Sequence, residues 1–380
     1  MLAQLKYREV ALSEGAGQKM QSYFPEGYAF TWALYGLASA QVARQLSTDD
    51  VRRSHYLAES WRAVQAVRSD EARSTFPSEL DPAWGAFYSS WSLYVLAEYV
   101  RAAGPGNVAD GVLKLFGREG DLFARALENS ESPFLQSYPY ASWPADTSVG
   151  IAALGIFNST VAPRYEETVR SWVLEARRLV DEDVGALSHS ADPSTGSPLG
   201  GARGGSLALM SRVLVEADPD FACEQYSVPR SQFVDYRMGV PGVREYPHGV
   251  DGIGDVDSGP VVLGFAGPAM VVGAAAARVH GDLELANILL GAVEAAGLPL
   301  QIWGQRRYAG GLIPIGDAFI AWSRSSAVPA AVAGGDWARL VPRGWYMPFH
   351  LLSVLLCGVV FLRARYLLWA IDEVSGMTSA

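Results

Sequence analysis

Four acidic residues of the sequence lie in aromatic or glycine-rich loops next to predicted helices. Asp146 follows Trp-Pro in the stretch YPYASWPADTSVG, Asp255 and Asp257 stand in GDVDSGP, and Glu26 follows a proline in YFPEG. Carboxyl groups placed in this way could perform acid–base catalysis, in which one group with a raised pKa donates a proton and another stays ionised. We therefore predict Asp146, Asp257, Asp255 and Glu26 as catalytic candidates.

Each of these acids also has a simpler interpretation as part of a helix cap. A side chain that caps a helix, or an acid in its first turn, stabilises the helix by about 1 kcal/mol. Asp257 or Ser258 could cap the helix after GDVDSGP, and Asp146 and Glu26 could be first-turn acids. The helix dipole would also tend to keep Asp146 ionised, which favours a base over an acid.

The same loops carry aromatic and basic residues that could bind a substrate. Aromatic rings could stack on a sugar or hold an isoprenoid, although a single ring is more often packing. Arginines could hold a substrate or simply pair with the acids, and a lone loop histidine is usually structural. The candidate substrate-binding residues are Tyr23, Tyr138, Trp143, Arg203, Tyr246, His248, Trp303, Arg307 and Tyr308.

Several other classes of site are absent from the sequence. The net charge of −10 argues against nucleic acid as a partner. The two cysteines, Cys223 and Cys357, make neither a metal spacing nor a disulfide framework. A metal would want more oxygen ligands than GDVDSGP shows. There is no nucleophile elbow, phosphate loop, dinucleotide fingerprint or HExxH motif. We expect a small-molecule substrate, no metal and no cofactor.

Alternating helix types are the elements that would position these residues. One type has small, apolar residues on all sides, which is typical of a buried helix. The other type has a charged face, which is typical of an outer helix. The inner type is predicted at 27–46, 84–103, 147–157, 204–217, 258–280 and 314–325, and the outer type at 49–68, 108–127, 164–180, 220–236 and 282–297. These five and a half pairs predict an all-α fold, an (α/α)6 toroid, with an open solenoid as the alternative. We expect Pro229 to break its helix.

The links between the helices are asymmetric. Links from inner to outer helices are short, whereas those entering the inner helices are long and aromatic, such as ESPFLQSYPYASWPAD. Long loops gathered on one side of a scaffold usually carry function. The N-terminal ends of the inner helices also present free backbone N–H groups. We therefore expect the site at this rim.

In these features the chain resembles the linalool dehydratase-isomerase family over roughly 25–330. The resemblance is carried by YGLAS, the segment YPYASWPADTSVGIAALGIF, GALSHSADPSTG, DVDSGPVVLGFAGPAMVVGAAAARVHGDLELANILLGAVE and RRYAGGLIPIGDAFIAW, in that order. It implies an (α/α)6 barrel and an enzyme that adds or removes water at a tertiary terpene alcohol.

The family's catalytic residues are not retained. The resemblance places Ser137 and Asp146 where the family has its cysteine pair, at the loop entering the third inner helix. The family's histidine falls near Ser90 or Trp91 and its tyrosine near Arg203, while its aspartate has no clear counterpart. The fold is therefore implied more firmly than the substrate or the catalytic groups.

The C-terminus is predicted as a separate tail. We place the barrel domain at 1–331 and the tail at 332–380, with a candidate transmembrane helix at 346–362, whose 17 residues meet the lower limit for a span. A buried last helix is the alternative. Arg363 and Arg365 would mark the cytoplasmic side, which would put the barrel outside the cytoplasm. That orientation needs an export signal upstream of the sequence; otherwise the tail anchors a cytoplasmic barrel. Either way we expect a membrane-associated protein.

Three functions follow from the sequence. The first is hydration, dehydration or isomerisation of a hydroxylated, isoprenoid or lipid-like substrate. The second is a glycoside hydrolase-like enzyme, since paired carboxylates with aromatic platforms suit that chemistry. The third is a non-catalytic, membrane-tethered binding domain. A narrow apolar cavity would favour the hydratase or isomerase. Two carboxylates facing each other across an open polar groove would favour the glycoside hydrolase. Acids that face no common cavity would favour the binding domain.

Overall fold

Six helices form a closed inner ring in the computed structural model, which describes residues 1–237, 239–330 and 347–377, and in its last helix only the side chains of 351–366. The inner helices are α3 (Gly27–Gln45), α6 (Gly85–Ala103), α8 (Pro144–Thr160), α10 (Gly204–Leu214), α12 (Gly267–Val279) and α14 (Pro314–Ser325). Each packs against the next, and α14 packs against α3. The ring therefore closes, and the predicted (α/α)6 toroid is confirmed rather than the open solenoid.

Six outer helices surround this ring. They are α1 (Leu2–Ser13), α4 (Val51–Val67), α7 (Asp110–Asn129), α9 (Glu166–Arg178), α11 (Pro219–Gln232) and α13 (Leu283–Ala296). Two further short helices, α2 (Ala16–Gln21) and α5 (Asp70–Arg73), and two 3-10 turns at Pro105–Asn107 and Ala309–Gly311 lie in the links.

The sequence analysis left the last inner helix without an outer partner, and α1 fills that place. Its attachment is partly polar. Gln4 Nε2 donates to the carbonyl oxygen of Asp317 at 2.9 Å, and Arg8 Nη1 donates to that of Pro314 at 2.8 Å. Both acceptors belong to the first turns of α14, so the N-terminus of the chain completes the barrel through buried hydrogen bonds as well as apolar contacts.

The inner helices are small-sided because their neighbours approach closely. A Cβ on Gly150 of α8 would lie 2.1 Å from the ring of Phe123 on α7. A Cβ on Gly155 would lie 2.1 Å from the backbone oxygen of Glu216. Only glycine fits at these contacts, which explains the small-residue pattern that identified the inner ring.

In the described part of the chain, five two-stranded antiparallel hairpins lie in the links, and none of them was predicted from the sequence. They are β1 (Gln136–Tyr138) with β2 (Ala141–Ser142), β3 (Val180–Asp181) with β4 (Ala186–Leu187), β5 (Val234–Arg237) with β6 (Val240–Val243), β7 (Val261–Val262) with β8 (Phe265–Ala266), and β9 (Leu300–Ile302) with β10 (Gln305–Arg307). Strands of two to four residues are too short for a pattern of alternating polarity to reveal them.

Two helix predictions were wrong in detail. The helix predicted from residue 258 begins at Gly267, because β7 and β8 turn back through Leu263 and Gly264, both with positive φ. Helix α11 continues through Pro229 to Gln232 instead of breaking there. Only one turn follows this proline, so the helix loses one backbone hydrogen bond close to its end, where the loss matters least.

The C-terminal segment includes α15 (Met347–Met377). Within the described part of the chain, no helix is long and apolar enough to cross a membrane. The first residue of the predicted span 346–362, and the boundary predicted at 331/332, fall in 331–346, which the structure does not describe. Association with a membrane, and the division into two domains, stay predictions.

Candidate active site

The long links bring their residues together at the N-terminal ends of the inner helices. Tyr138, in the link before α8, contacts Glu26, which immediately precedes α3. Arg203, which precedes α10, contacts Asp255 in the link before α12. These contacts join links that are far apart in sequence. The rim therefore forms a mouth at one end of the barrel, and we call it the acidic mouth.

Ser137 and Asp146 form a hydrogen-bonded pair in the acidic mouth. Ser137 Oγ donates to Asp146 Oδ2 at 2.5 Å and accepts from the backbone N–H of Phe87 at 3.1 Å. The Ser137 backbone also passes so close to α6 that a Cβ on Gly85 would lie 2.2 Å from its carbonyl oxygen. The serine thus satisfies one free N–H of the first turn of α6 and orients the carboxyl group of Asp146.

Asp146 is a first-turn residue of α8 without a side-chain capping bond. Burial raises the pKa of its carboxyl group to about 7, and the charges of Asp257 and Glu26 act in the same direction, against the hydrogen bond from Ser137. The raised pKa contradicts the expectation that Asp146 stays ionised and acts as a base, because burial disfavours the charged form of the carboxyl group. At neutral pH this carboxyl group can carry a proton.

Tyr138 and Glu26 form a second pair beside the first. The Tyr138 hydroxyl donates to Glu26 Oε1, so Glu26 acts as a hydrogen-bond acceptor and its side chain makes no capping bond to α3. Burial and the neighbouring Glu26 raise the pKa of Tyr138, which keeps the phenol protonated. Trp143 contacts the Tyr138 ring edge-on, with centroids 6.3 Å apart. The rigid aromatic loop thus fixes the donor that holds Glu26.

Arg203 organises a third group of side chains. Its guanidinium contacts Asp255, lies 3.9 Å from Glu245 Oε1 and stands 5.5 Å from the centre of the Tyr246 ring. Burial would raise the pKa of Asp255, but the backbone N–H of Ser258 and the arginine lower it to about 2. Asp255 is therefore the firmly ionised carboxylate of the acidic mouth.

Glu245 also lies in the acidic mouth, although it was not among the residues predicted from the sequence. Its side chain is 3% exposed, and its Oε2 has no hydrogen-bond partner among the described residues. Burial raises the pKa of Glu245 to about 7, although Arg203 opposes the shift. Glu245 directly precedes Tyr246, which was predicted from the sequence to bind substrate, so the loop itself was already a candidate. However, nothing in the sequence distinguishes this acid from those that remain in solvent.

His189 was also missed, and it lies beside Asp257. Its Nδ1 is 2.6 Å from Ser206 Oγ and its Nε2 is 3.8 Å from Asp257 Oδ2. Burial and Arg203 lower the pKa of His189 to about 4, so the imidazole is neutral near pH 7. The histidine stands in the quoted stretch GALSHSADPSTG, but its residue type alone did not separate it from a structural histidine.

Asp257 is the most accessible of the candidate acids in this group. Its side chain is 66% exposed. Partial desolvation and the charges of Asp255 and Glu26 raise its pKa, and Arg203 opposes them. The capping interpretation of this loop was wrong. The Ser258 N–H and hydroxyl bond to Asp255 Oδ1 at 3.0 and 3.1 Å, forming a separate turn nine residues before α12 begins.

Aromatic side chains close the barrel below the acidic mouth. Phe30 of α3 lies 5.2 Å from Phe87 of α6 and 5.1 Å from Phe319 of α14 between ring centroids, and all three are partly exposed. Trp91 and Trp322 are buried beneath them, 6.0 Å apart. We call Phe30, Phe87 and Phe319 the aromatic floor. It gives the polar mouth an apolar base.

Several predicted substrate-binding residues contact other parts of the structure. The Tyr308 hydroxyl donates to Glu294 of the outer helix α13 at 2.5 Å, and Arg307 stacks on Tyr7 of α1 at 5.7 Å. His248 is exposed, with Nε2 3.2 Å from the carbonyl oxygen of Val234. These three residues support the barrel wall and hairpin β5–β6 rather than the acidic mouth.

Two predicted aromatic residues are largely exposed. Trp303 is 94% exposed at the tip of hairpin β9–β10, and Tyr23 is 67% exposed before α3. Neither ring contacts another aromatic ring or a cation among the residues that the structure describes. Within the described residues, no group of histidine, cysteine and acidic side chains has the arrangement to hold a metal ion.

Comparison with known proteins adds one distant likeness. No protein-family model matches the chain, and no curated protein matches it in sequence. Among solved structures that match is the GH76 alpha-mannanase of Bacteroides thetaiotaomicron, with 9% identity, a TM-score of 0.45, and coverage of 78% of this chain and 85% of that one. The linalool dehydratase-isomerase family is not shown by these comparisons. The barrel implied by that resemblance is confirmed, and its chemistry stays a prediction.

Proposed function

We propose that this protein is an enzyme that hydrolyses glycosidic bonds by carboxylate acid–base catalysis in the acidic mouth. The observation that carries the proposal is the coexistence of differently ionised carboxyl groups in the acidic mouth, on links that contact one another. Asp146 has a pKa of about 7, whereas Asp255 has a pKa of about 2. Glycoside hydrolysis needs a protonated carboxyl group together with an ionised one.

Asp146 is our candidate proton donor. Ser137 donates to its Oδ2, which leaves Oδ1 to carry the proton. The ionised Asp255 is paired with Arg203, so we assign the role of base to its neighbour Asp257, whose exposed side chain has access to water. Arg203 opposes the burial and the neighbouring charges that raise the pKa of Asp257. In the proposed step, Asp146 protonates the glycosidic oxygen as the bond to the anomeric carbon breaks. Asp257 removes a proton from the water that attacks that carbon.

The remaining side chains would hold and orient the sugar. Glu26, fixed by Tyr138, and Arg203 offer an acceptor and donors for hydroxyl groups. The aromatic floor could pack against the apolar face of a pyranose ring. The neutral imidazole of His189, 3.8 Å from Asp257, could orient the base without adding charge. The acidic mouth is polar and includes the solvent-exposed Asp257, which suits a carbohydrate better than an apolar substrate that must be shielded from water.

The aromatic floor supports a second candidate function. Three partly exposed phenylalanines beneath a carboxyl group with a pKa of about 7 could hold an isoprenoid alcohol while that group protonates its hydroxyl. Loss or addition of water at a tertiary carbon, as the family resemblance implies, would follow. This candidate uses the same Asp146 but requires the substrate to enter through the acidic mouth.

Kinetics with graded leaving groups test the first proposal. The protein would be screened on aryl glycosides and oligosaccharides, and separately on tertiary allylic alcohols. We expect Asp146→Asn to lose activity on glycosides with poor leaving groups but retain it on dinitrophenyl glycosides, which need no proton donor. We expect Asp257→Asn to lose activity on both. Asp220→Asn, in the first turn of outer helix α11, is the matched control and should behave as wild type.

The outcomes separate the candidates. Equal turnover of all glycosides by wild type and Asp146→Asn would refute the proton-donor role. Turnover of allylic alcohols alone, lost in Asp146→Asn, would establish the second candidate in place of the first. Binding of sugars without any turnover would refute both and favour a binding domain. The anomer formed first, observed by NMR, would report whether hydrolysis inverts or retains configuration.

A further inference from the structure

The end of the barrel opposite the acidic mouth is rich in arginine. Five of the six inner helices carry an arginine in the last turn, namely Arg44, Arg101, Arg212, Arg278 and Arg324, and only α8 has none. Cations at the C-terminal ends of helices offset the partial negative charge of the free carbonyl groups. This stabilisation explains why arginines lie at this end of the barrel. It does not explain why Arg212 and Arg44 face a cavity with hydrogen-bond donors that no described residue accepts.

Arg212 has unused hydrogen-bonding capacity inside a cavity. The cavity has a volume of about 180 Å³, and its polar lining consists of Gln41, Arg44, Gln45, Arg101, Arg212 and Glu216. Arg212 is only 2% exposed. Its Nε donates to Ser326 Oγ at 3.0 Å, but its Nη1 has no hydrogen-bond partner among the described residues. A buried guanidinium N–H without an acceptor is unfavourable, so this one calls for a partner.

The nearby carboxylates do not supply that partner, because Arg101 engages both of them. Arg101 donates to Glu98 and Glu216. The closest approach of Glu216 to Arg212 Nη1 is 3.8 Å, and Arg44 Nη1 lies 3.6 Å from Glu98. Both distances are beyond hydrogen-bond range. The arginines facing the cavity therefore outnumber the acids, and among the described residues Arg212 Nη1 and the guanidinium of Arg44 have no hydrogen-bond acceptor.

The ionisation of neighbouring groups indicates the same excess of positive charge. Burial would raise the pKa of Glu216, yet Arg101, Arg212 and Arg44 together hold it below the usual value. Burial and the charges of Arg324 and Arg212 lower the pKa of Arg278. A positive potential in a small cavity favours a compact anion with several acceptor oxygens.

We propose that this cavity is a binding site for a small oxyanion, a phosphate or a phosphate monoester group, held by Arg212 Nη1 and Arg44. The cavity has room for one such tetrahedral group. Its lining comes from α3, α6, α10 and the end of α12, so a bound anion would tie four inner helices together at this end. The site lies at the other end of the barrel from the acidic mouth and does not depend on the proposed activity.

Binding of inorganic phosphate by the full-length protein tests the proposal. Thermal unfolding would be followed against phosphate concentration at constant ionic strength, with chloride as the comparison salt, and affinity measured by calorimetry. We expect a saturable rise in Tm with phosphate in wild type, and at least about tenfold weaker binding in Arg44→Gln, which loses charge-assisted hydrogen bonds. Arg44 is 36% exposed, so its replacement should not prevent folding.

The matched control is Arg170→Gln, an exposed arginine of outer helix α9 that pairs with Glu167. It should bind phosphate as wild type does. Glycerol 3-phosphate in place of phosphate distinguishes the two sources of the anion. Tighter binding of the ester assigns the site to a phosphorylated molecule, and tighter binding of phosphate assigns it to the free ion. Absence of a saturable rise in wild type, or equal binding by Arg44→Gln and wild type, would overturn the proposal.

Discussion

Replacing Asp146 by asparagine should stabilise the folded protein above neutral pH. The carboxyl group has a pKa of about 7 in the folded protein and a value near 3.8 when free in solvent. Between these values the folded state binds more protons than the unfolded state, so the free energy of unfolding falls as pH rises from about 4 to about 7. Asparagine does not titrate, and its amide oxygen can still accept the Ser137 hydroxyl, so the variant escapes this loss.

The magnitude follows from the difference between the two pKa values. A shift of about three units, at about 1.4 kcal/mol per unit, gives a ceiling of about 4 kcal/mol above pH 7. Asp146 is partly exposed, and water reaching it reduces the penalty. We therefore expect Asp146→Asn to be more stable than wild type by about 1 to 4 kcal/mol at pH 8, and by little at pH 4.

Urea unfolding of both proteins from pH 4 to pH 8 measures this difference without knowledge of the substrate. The matched control is Asp192→Asn, because Asp192 accepts hydrogen bonds from the Ser194 hydroxyl and backbone and from the Thr195 backbone, which lower its pKa. For that acid the sign reverses. Wild-type stability from this carboxylate is present above its unfolded pKa, so the control variant should lose stability there. A pH-independent difference for Asp146→Asn, or a loss of stability at pH 8, would refute the reasoning.

Three further predictions follow from neighbouring contacts. Glu245→Gln should also stabilise the protein above pH 7, because the pKa of Glu245 is raised to about 7, and urea unfolding against pH measures it. Gly204→Ala should lower the free energy of unfolding by about 2 kcal/mol or more, because the added Cβ would lie 2.0 Å from the Arg244 carbonyl oxygen. Gly205→Ala is its control and should change the free energy of unfolding by less than about 1 kcal/mol, because the nearest atom to the added Cβ would be 3.8 Å away. Urea unfolding measures both. His189 should show no imidazole titration by NMR between pH 5.5 and pH 8, since its pKa is lowered to about 4, and a midpoint near 6.5 would contradict its burial.

The architecture could be predicted from the sequence because its signal is repeated and long. The last inner helix was predicted at 314–325 and occupies those residues, and the first was predicted at 27–46 and occupies Gly27–Gln45. The inner helices need small residues for close packing, and this composition is recognisable within the sequence of one helix. Helix α1 was missed for the opposite reason, since its buried polar anchors Gln4 and Arg8 look like surface residues in sequence.

The grouping of the candidate acids could be predicted from the sequence, but only part of its membership. The asymmetry of link length indicated the end of the barrel where the inner helices begin, and the structure brings Asp146, Asp257, Asp255 and Glu26 to that end. That these residues form an active site stays a prediction. Glu245 could not be selected, because its distinguishing property is burial beside the first turn of α10. Whether a single acid is buried depends on the course of the neighbouring hairpin, which cannot be predicted from the local sequence.

The pKa values of these acids show which physical effect sets their charge at neutral pH. Asp146 and Glu245 both lie beside the N-terminal end of an inner helix, where the dipole should favour their charged forms, yet burial raises both pKa values to about 7. Asp255 occupies the same rim and has a pKa of about 2, because Arg203 and the Ser258 N–H stabilise its charge. The dipole is common to the whole rim and cannot separate a protonated carboxyl group from an ionised one. Desolvation and the position of Arg203 do separate them. Both depend on the path of the long links rather than on the helices that these links precede.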